Sequence, residues 1–247
     1  MMISQVEQAV LNNAYWCDTV CRAHGVPGEF QEHLWLNRNQ VPPFYPNVVT
    51  LSGMQARAEQ VAQIQQLAAQ KIPDGLGVKD SFCTLNLAPL GFHLLFDAVW
   101  LWRAPSLPGP DGAIPGIQWA VIGDQVELAR WELAWNNLLD DSSAVPPARI
   151  FLPSLLADTD IAFIAAYQNE AIVAGAIANR TPGVAGLSNV FVRHGDPTRF
   201  WAGCLAAVMQ RFPELPVVDY ESGNDLLIAR SLGFKELGPL RVWVLDG

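Results

Sequence analysis

A segment rich in proline and glycine restricts how this chain can fold. Seven of the twelve residues in 105–116 are proline or glycine, two residue types that end helices and interrupt strands. The stretches on either side, 1–105 and 117–247, are each long enough to form a compact body. We therefore predict that 106–116 is a surface linker between two domains.

The composition indicates a globular protein that does not bind nucleic acid. Hydrophobic residues make up 51% of the chain, enough for a substantial core, and 15 Lys and Arg stand against 24 Asp and Glu, a formal net charge of −9. A surface that binds nucleic acid needs clustered basic side chains to neutralise phosphates. The sequence has no run rich in Lys or Arg, so we predict no nucleic-acid partner.

The apolar stretches of the chain are interrupted before they could cross a bilayer. Asp97 interrupts 91–102, and the polar triplet 168–170 interrupts 161–178, whereas a spanning helix needs about 20 apolar residues. The N-terminal residues lack a basic region followed by an apolar core, so we expect no signal peptide. Four cysteines are too few for a disulfide framework in a chain of 247 residues. We therefore expect a cytoplasmic protein with no membrane partner.

Hydrophobic periodicity and turn residues predict strands and helices in both parts of the chain. In the second part the predicted strands are 117–122, 161–167, 172–178, 187–192, 217–220 and 240–245, and the predicted helices are 125–139, 198–211 and 224–232. In the first part the predicted helices are 7–24 and 52–71, the second capped by Ser52, and the predicted strands are 48–51, 82–87 and 92–102.

A strand, a helix and a hairpin follow one another in both parts, which suggests a diverged repeat with a truncated first copy. The two predicted hairpins end in similar residues, Arg103-Ala104-Pro105 and Arg180-Thr181-Pro182. We treat this partial copy as a hypothesis.

The end of the chain carries the most specific pattern. The segment VVDYESGN at 217–224 leads into a helix, SLGF at 231–234 ends that helix, and GPLRVW at 238–243 leads into the last strand. Together with the order of elements over 117–247, this pattern resembles the GCN5-related N-acetyltransferase (GNAT) superfamily. The resemblance implies an α/β (α+β) fold with a mixed, mostly antiparallel sheet flanked by helices, and a partial copy of it at the N-terminus. It also implies acetyl-CoA or another acyl-CoA as cosubstrate.

In the GNAT superfamily one strand splays from its neighbour and exposes backbone groups to the pantetheine arm of acyl-CoA. The corresponding strand here is 189–192. The resemblance therefore implies that the backbone of Val190, Phe191 and Val192 contacts the donor.

The phosphate-binding loop of the family, Arg/Gln-x-x-Gly-x-Gly/Ala, corresponds to residues 197–202 and is poorly matched. Only Ala202 fits the pattern. Pro197 has no N–H to donate. Phe200 stands where the family has glycine, and we expect its ring to crowd the phosphates.

Two residues at the start of the following helix, Thr198 and Arg199, are the predicted phosphate contacts. The alternative is an N-cap threonine beside a solvated arginine.

The residues for proton transfer are also altered. Many family members place a tyrosine acid at the position of Ala229, so that role is vacant or passes to another residue. Tyr220 or Tyr167 could fill it if the hydroxyl points into the cleft. Glu221, at the end of its strand, is the candidate base for an amine, and the alternative is that it caps the next helix.

Two functions follow from the resemblance. The first is an N-acyltransferase that moves an acetyl or other acyl group from acyl-CoA to an amine of a small molecule or peptide. The second is a catalytically degenerate GNAT-fold binding module with a blocked pyrophosphate loop. A homodimer is left open.

Cys17, Cys21 and His24 share one helix face with apolar residues, so we predict packing there and no metal site.

Overall fold

The computed structural model describes residues 3–70, 72–73, 75–138 and 148–247. It contains two compact units: unit 1 consists of Met1–Trp100 and Glu236–Gly247, and unit 2 consists of Leu101–Lys235. These units differ from the predicted ranges because 236–247 groups with the first part of the chain. Residues 106–116 contain no helix or strand, as their proline and glycine content predicts, but they lie within unit 2 and not at its boundary with unit 1.

Five helices and eleven strands occur within the described residues. The helices are α1 (Gln5–Ala23), α2 (Arg57–Ala68), α3 (Gln125–Trp135), α4 (Pro197–Arg211) and α5 (Gly223–Ser231). The strands are β1 (Glu29–Phe30), β2 (Leu34–Leu36), β3 (Val48–Thr50), β4 (Leu76–Asp80), β5 (His93–Arg103), β6 (Gln118–Val121), β7 (Ile161–Gln168), β8 (Ala171–Thr181), β9 (Val184–Val192), β10 (Val217–Glu221) and β11 (Lys235–Leu245).

Most predicted elements are present with ends shifted by a few residues. The helices predicted to reach 71 and 139 end earlier, at Ala68 and Trp135, and residues 71 and 139 lie outside the described residues. The first helix begins at Gln5, two residues before the predicted start. Ser4 and Glu7 form a reciprocal capping box, in which each side chain accepts a hydrogen bond from the other residue's backbone N–H.

The strand predicted at 82–87 is wrong. The chain turns there, directly after β4, because the carboxylate of Asp80 accepts hydrogen bonds from the backbone N–H groups of Thr84 (3.1 Å) and Leu85 (2.8 Å). The backbone of Cys83 also takes a left-handed conformation, with φ at 51°. A strand cannot continue through these bonds.

The prediction that Ser52 caps the second helix is wrong. Its hydroxyl lies 3.1 Å from Nδ1 of His33 instead. A 3-10 turn, Met54–Ala56, follows, and α2 begins only at Arg57 without a side-chain cap. The serine is therefore used for a contact between segments that are distant in sequence.

Both units contain an antiparallel meander followed by a helix and a parallel strand. In unit 1, β1, β2 and β3 pair antiparallel in turn, and α2 leads to β4, which pairs parallel with β3. In unit 2, β6, β7, β8 and β9 pair antiparallel in turn, and α4 leads to β10, which pairs parallel with β9. This shared order replaces the hairpin at 82–102 as the basis for a repeat with a truncated first copy.

The core of unit 2 lies between the sheet and its helices. On one face Leu187 of β9 packs with Leu205 and Val208 of α4. On the other face Trp131 of α3 donates a hydrogen bond from Nε1 to the Ile164 carbonyl at 2.8 Å and makes edge-on ring contacts. The site described below is therefore built on elements held from both faces.

No helix within the described residues combines the length and hydrophobicity that crossing a bilayer requires.

Candidate active site

The parallel pair of unit 2 separates part of the way along its length. β9 and β10 are paired only at Ala185 with Val217 and at Gly186 with Val218, although the structure describes every residue from 184 to 221. Both strands continue beyond these pairs, β9 to Val192 and β10 to Glu221. The side chains of β9 change there from buried to half-buried. We call the opening between 187–192 and 219–221 the strand gap.

A β-bulge lies in β9 beside the strand gap. Gly175 of β8 pairs with Phe191 and Ile177 pairs with Ser188, so two residues of β9 face one residue of β8. The bulge residue Asn189 has φ at 53°, a left-handed conformation that asparagine tolerates better than most residues.

The bulge reverses the alternation of side chains along β9. Before it, Leu187 faces the core under α4; after it, Val190 and Val192 pack against that same core. Phe191 is turned to the other face, where its ring centroid lies 5.2 Å from that of Trp131. The predicted donor-binding residues therefore lie on the strand gap with their side chains anchored on both faces of the sheet.

A carboxylate occupies the start of α4. Asp196 is the N-cap, and its Oδ1 accepts a hydrogen bond from the Thr198 N–H at 3.0 Å. Pro197 has no N–H, and the Phe200 N–H bonds to the Asp196 carbonyl at 3.2 Å. Asp196 therefore accepts hydrogen bonds from two N–H groups of the first turn, one through its side chain and one through its backbone carbonyl. The alternative prediction of an N-cap threonine at 198 is wrong.

The predicted phosphate contacts, Thr198 and Arg199, are exposed in the first turn of α4. The guanidinium of Arg199 lies 3.5 Å from the Ala113 carbonyl oxygen. Ala202 is buried one turn further along the helix.

The side chain of Phe200 points inward from the first turn of α4, and the expectation that its ring crowds the phosphates stays a prediction. Only 6% of its surface is exposed, and its ring packs against Ala166, Val173 and Ala174. A Cβ at Gly195 would lie 2.8 Å from the ring, so the loop before α4 crosses directly over it. The ring points inward because its position on the helix faces the sheet.

Three acidic residues follow one another along the end of β10 and the start of α5. Asp219 is 6% exposed, Glu221 is half-buried and Asp225 is exposed. Asp219 and Glu221 are two residues apart on a strand and so share a face of the sheet. We call Asp219, Glu221 and Asp225 the acidic cluster.

Burial and mutual repulsion raise the pKa values of two of these acids, Asp219 and Glu221. Loss of solvent, followed by the charge of Asp225, raises the pKa of Glu221 to about 8, against a smaller lowering by the Ser222 backbone N–H. Loss of solvent, followed by the charge of Glu221, raises the pKa of Asp219 well above its usual range. Oδ1 of Asp219 accepts the Tyr220 N–H at 2.7 Å, whereas its Oδ2 is buried without a hydrogen-bond partner.

The tyrosine candidates lie in different places. Tyr220 is half-buried on β10 and, by the alternation of a strand, points to the face opposite Glu221. Tyr167 lies on β7, and β8 and β9 lie between β7 and β10 in the sheet. Its hydroxyl donates a hydrogen bond to Glu127 at 2.6 Å. Ala229 is fully buried in α5. Tyr167 is therefore not at the strand gap.

Several solved structures share this architecture. A GCN5-related N-acetyltransferase from Kribbella flavida aligns with 97% of this chain and 95% of its own, at 17% identity and a TM-score of 0.62. A GNAT-family protein from Novosphingobium aromaticivorans aligns over 96% and 99%, at 13% identity and a TM-score of 0.58. The chain has the GNAT fold.

A third similar structure bears on the repeat. A tandem GNAT protein from the clavulanic acid biosynthesis pathway aligns with 86% of this chain and 78% of its own, at 15% identity and a TM-score of 0.53. That likeness fits a layout of two copies of the GNAT fold. No family model matches the sequence, and no curated protein matches it.

Three residues of this GNAT-fold site were missed from sequence. Asp196 before Pro197 is a typical N-cap followed by proline at the first helical position, and it signals the true start of α4. Asp219 could have been paired with Glu221 by strand alternation. Asn189 gives no signal, because a bulge depends on the register of the neighbouring strand.

Proposed function

We propose that the chain is an acyl-CoA-dependent N-acyltransferase whose donor lies in the strand gap. The observation that carries the proposal is the separation of β9 from β10 after Gly186 and Val218, beside the bulge at Asn189. The separation leaves backbone groups of Val190 to Val192 unpaired on the β10 side. Those groups would hold the pantetheine arm and align the thioester.

The reaction requires one proton acceptor for the amine and one proton donor for the leaving thiolate. Glu221 takes a proton from the acceptor's ammonium, and the free amine then attacks the thioester carbonyl. The C–N bond forms and the C–S bond breaks; the nitrogen then gives up its second proton, and the CoA thiolate gains one to leave as the thiol. Glu221 is suited to the first step because a pKa of about 8 is close to neutral pH. The role of the second proton donor falls to solvent, since Ala229 has no proton to give and Tyr220, the candidate from sequence, points to the face opposite Glu221.

Positioning supplies much of the rate in such a transfer. A donor and an acceptor held in contact react as if at very high concentration. An altered set of acid and base residues is therefore compatible with an enzyme.

The phosphate end of the site favours a second candidate, the binding module without catalysis. Thr198, Arg199 and Ala202 would contact the pyrophosphate, but the Asp196 carboxylate already caps this helix terminus. A negative side chain there opposes an anionic ligand. A module that holds another small molecule or a protein partner in the strand gap would not need this terminus.

Thermal unfolding with two donors separates these candidates. Acetyl-CoA and S-acetyl-pantetheine share the arm and the thioester, but only acetyl-CoA carries the pyrophosphate. A ligand at 100 times its Kd stabilises the native state by about 2.7 kcal/mol. We expect both donors to raise the Tm. No shift with either donor at millimolar concentration would contradict the enzyme and leave the binding module.

Turnover is the second readout. The Glu221→Gln variant should keep the acetyl-CoA shift and lose transfer to amines. Equal transfer by this variant and the native chain would remove Glu221 from the mechanism.

The cytoplasmic location and the homodimer stay predictions from sequence.

A further inference from the structure

One edge of the sheet in unit 2 is open. β6 pairs with β7 on one side, and within the described residues no strand pairs with it on the other. β7 and β8 lie between β6 and β9, so this edge is separate from the strand gap. The outermost strand of a sheet presents a row of N–H and C=O groups that can pair with another strand. We call residues 116–123, which contain β6, the open edge.

The register with β7 shows which backbone groups face outward. Ile122, directly after β6, donates its N–H to the Phe163 carbonyl at 2.8 Å. Hydrogen-bonded and non-hydrogen-bonded pairs alternate along an antiparallel ladder, so Ala120 bonds to β7 as Ile122 does. The N–H and C=O groups of Trp119 and Val121 therefore point away from β7. Two donors and two acceptors are available to a further strand.

The open edge lacks the features that normally prevent such pairing. Proteins usually protect an outermost strand with charged residues, proline, a bulge or a short length. Residues 116–123 include no charged residue and no proline, and the ladder of β6 with β7 is regular. By contrast β1, which in unit 1 pairs with β2, has two residues and carries the exposed Glu29. The open edge is therefore suited to binding.

The side chains of the open edge match a second copy of the same strand. Val121 is 52% exposed, Ala120 is exposed and Trp119 is half-buried. In an antiparallel pair of β6 strands about a two-fold axis at Ala120, Trp119 of each copy lies opposite Val121 of the other. An aromatic and a β-branched residue make a favourable cross-strand pair. Ala120 meets its own copy at a non-hydrogen-bonded position, where strands approach most closely and a small side chain fits.

Backbone and charge both fit this arrangement. Each of the two Trp119–Val121 pairs exchanges two hydrogen bonds, which uses every outward group of β6. The chain has a formal net charge of −9, so two copies repel one another over most of their surface. The open edge is uncharged, and no acid within it faces its own copy. A basic peptide strand, which the net charge would attract, finds no acid there to pair with.

We propose that the chain forms a two-fold symmetric dimer in which the β6 strands of two copies pair antiparallel about Ala120. The sheet of unit 2 then continues into the sheet of the second copy. β7 and β8 separate the contact from the strand gap, so the pairing leaves the gap uncovered, and the dimer does not depend on the proposed reaction. Two short strands make a contact below the standard interface size, so we expect a dissociation constant in the micromolar range or above.

Sedimentation velocity of the full chain, from low micromolar to near-millimolar concentration, tests the dimer. We expect the native chain to shift from monomer to dimer across this range. A native chain that is monomeric at the highest concentration would overturn the proposal.

Two variants of Val121 locate the contact. Val121→Lys places a charge opposite Trp119 of the other copy, and Val121→Pro removes an outward N–H while keeping the bonds to β7. We expect each to raise the dissociation constant at least about fivefold, because the two-fold axis applies every change twice. Both changes lie on the exposed edge, and circular dichroism checks that the monomer is folded.

Leu227→Lys is the matched control. Leu227 is 58% exposed on α5, which follows β10 and not β6, so its replacement should leave the dissociation constant unchanged. An unchanged constant in Val121→Lys, or an equal rise in the control, would refute a contact at β6.

Amide hydrogen exchange followed by NMR reads the contact directly. The N–H groups of Trp119 and Val121 should become protected at the concentrations where the dimer forms, whereas that of Ala120, bonded to β7, should be protected at every concentration. If the chain associated while the Trp119 and Val121 amides exchanged as fast as in the monomer, the two copies would meet elsewhere and the proposal would be wrong.

Discussion

The Asp196 carboxylate accepts a hydrogen bond from the Thr198 N–H at 3.0 Å, at the helix terminus where the pyrophosphate would bind in the proposed reaction. An N-cap aspartate stabilises α4 but carries a negative charge. We expect Asp196→Asn, which keeps the capping oxygen, to tighten acetyl-CoA binding about two- to fivefold. That range corresponds to the usual effect of one charge at a helix terminus, about 0.3–1 kcal/mol.

The measurement is acetyl-CoA affinity by calorimetry. S-acetyl-pantetheine is the matched control, since it lacks the pyrophosphate and its affinity should not change. A variant that gains affinity for both donors equally would point to a change in the strand gap and contradict the electrostatic explanation.

The stability of the chain should fall as the pH rises from about 5 toward 8. Glu221 has its pKa raised from 4.5 to about 8 in the folded state, so the folded chain binds a proton that the unfolded chain has released. Where the native state binds more protons, the free energy of unfolding decreases with rising pH. Asp219, whose pKa is also raised, acts in the same direction.

The Tm measured between pH 5 and pH 9 checks this sign. Glu221→Gln cannot ionise, so its Tm should vary less over the same range. If the Tm of the native chain rose over this interval, the result would contradict the raised pKa values of Glu221 and Asp219.

The transfer rate should rise with pH and level off above about pH 8. Glu221 acts as a base only when it is ionised, and its pKa of about 8 sets that point. Its replacement by Gln should lower kcat about 10²- to 10⁴-fold, the usual contribution of such a group. Initial rates with acetyl-CoA and a primary amine give the profile, and a native rate that does not depend on pH would exclude this base.

Phe200→Ala should destabilise the fold by about 3–5 kcal/mol, because the ring is buried against Ala166, Val173 and Ala174. We do not expect the smaller side chain to create acetyl-CoA affinity, since the ring points into the core. Chemical denaturation measures the loss. If the variant kept its stability and gained affinity for acetyl-CoA, we would conclude that the Phe200 ring crowds the phosphates, as expected from sequence.

Asn189 should tolerate glycine better than valine. Its φ of 53° costs glycine nothing, whereas a β-branched residue is strongly disfavoured there. We expect Asn189→Val to lower the Tm and to raise the KM for acetyl-CoA, and Asn189→Gly to keep the KM near its native value. If both variants raised the KM equally, the backbone conformation would not be the cause.

The elements with regular periodicity could be predicted from sequence. α1, α4 and the strands β7 to β10 have apolar residues at helical or strand spacing between turn residues, which is information carried within each segment. The strand predicted at 82–87 failed because the Asp80 carboxylate bends the chain, and that bond depends on a side chain outside the segment.

The site was only partly open to prediction. Glu221 and the strand at 189–192 were assigned to the site through the family resemblance and stay predictions. The inward turn of Phe200 had no signal in the sequence, because it depends on which face of α4 meets the sheet. The unpartnered Oδ2 of Asp219 is likewise a property of its surroundings.

The order of residues by itself indicated the strands and helices of 117–247, the lack of regular structure at 106–116 and the altered phosphate loop, because each depends on neighbours along the chain. The tertiary structure decided where β9 leaves β10, which face each side chain of β9 takes after the bulge, and that Asp219 is buried with its Oδ2 unpartnered among the described residues. Those features arise from pairing and burial between segments far apart in sequence, and no local pattern encodes them.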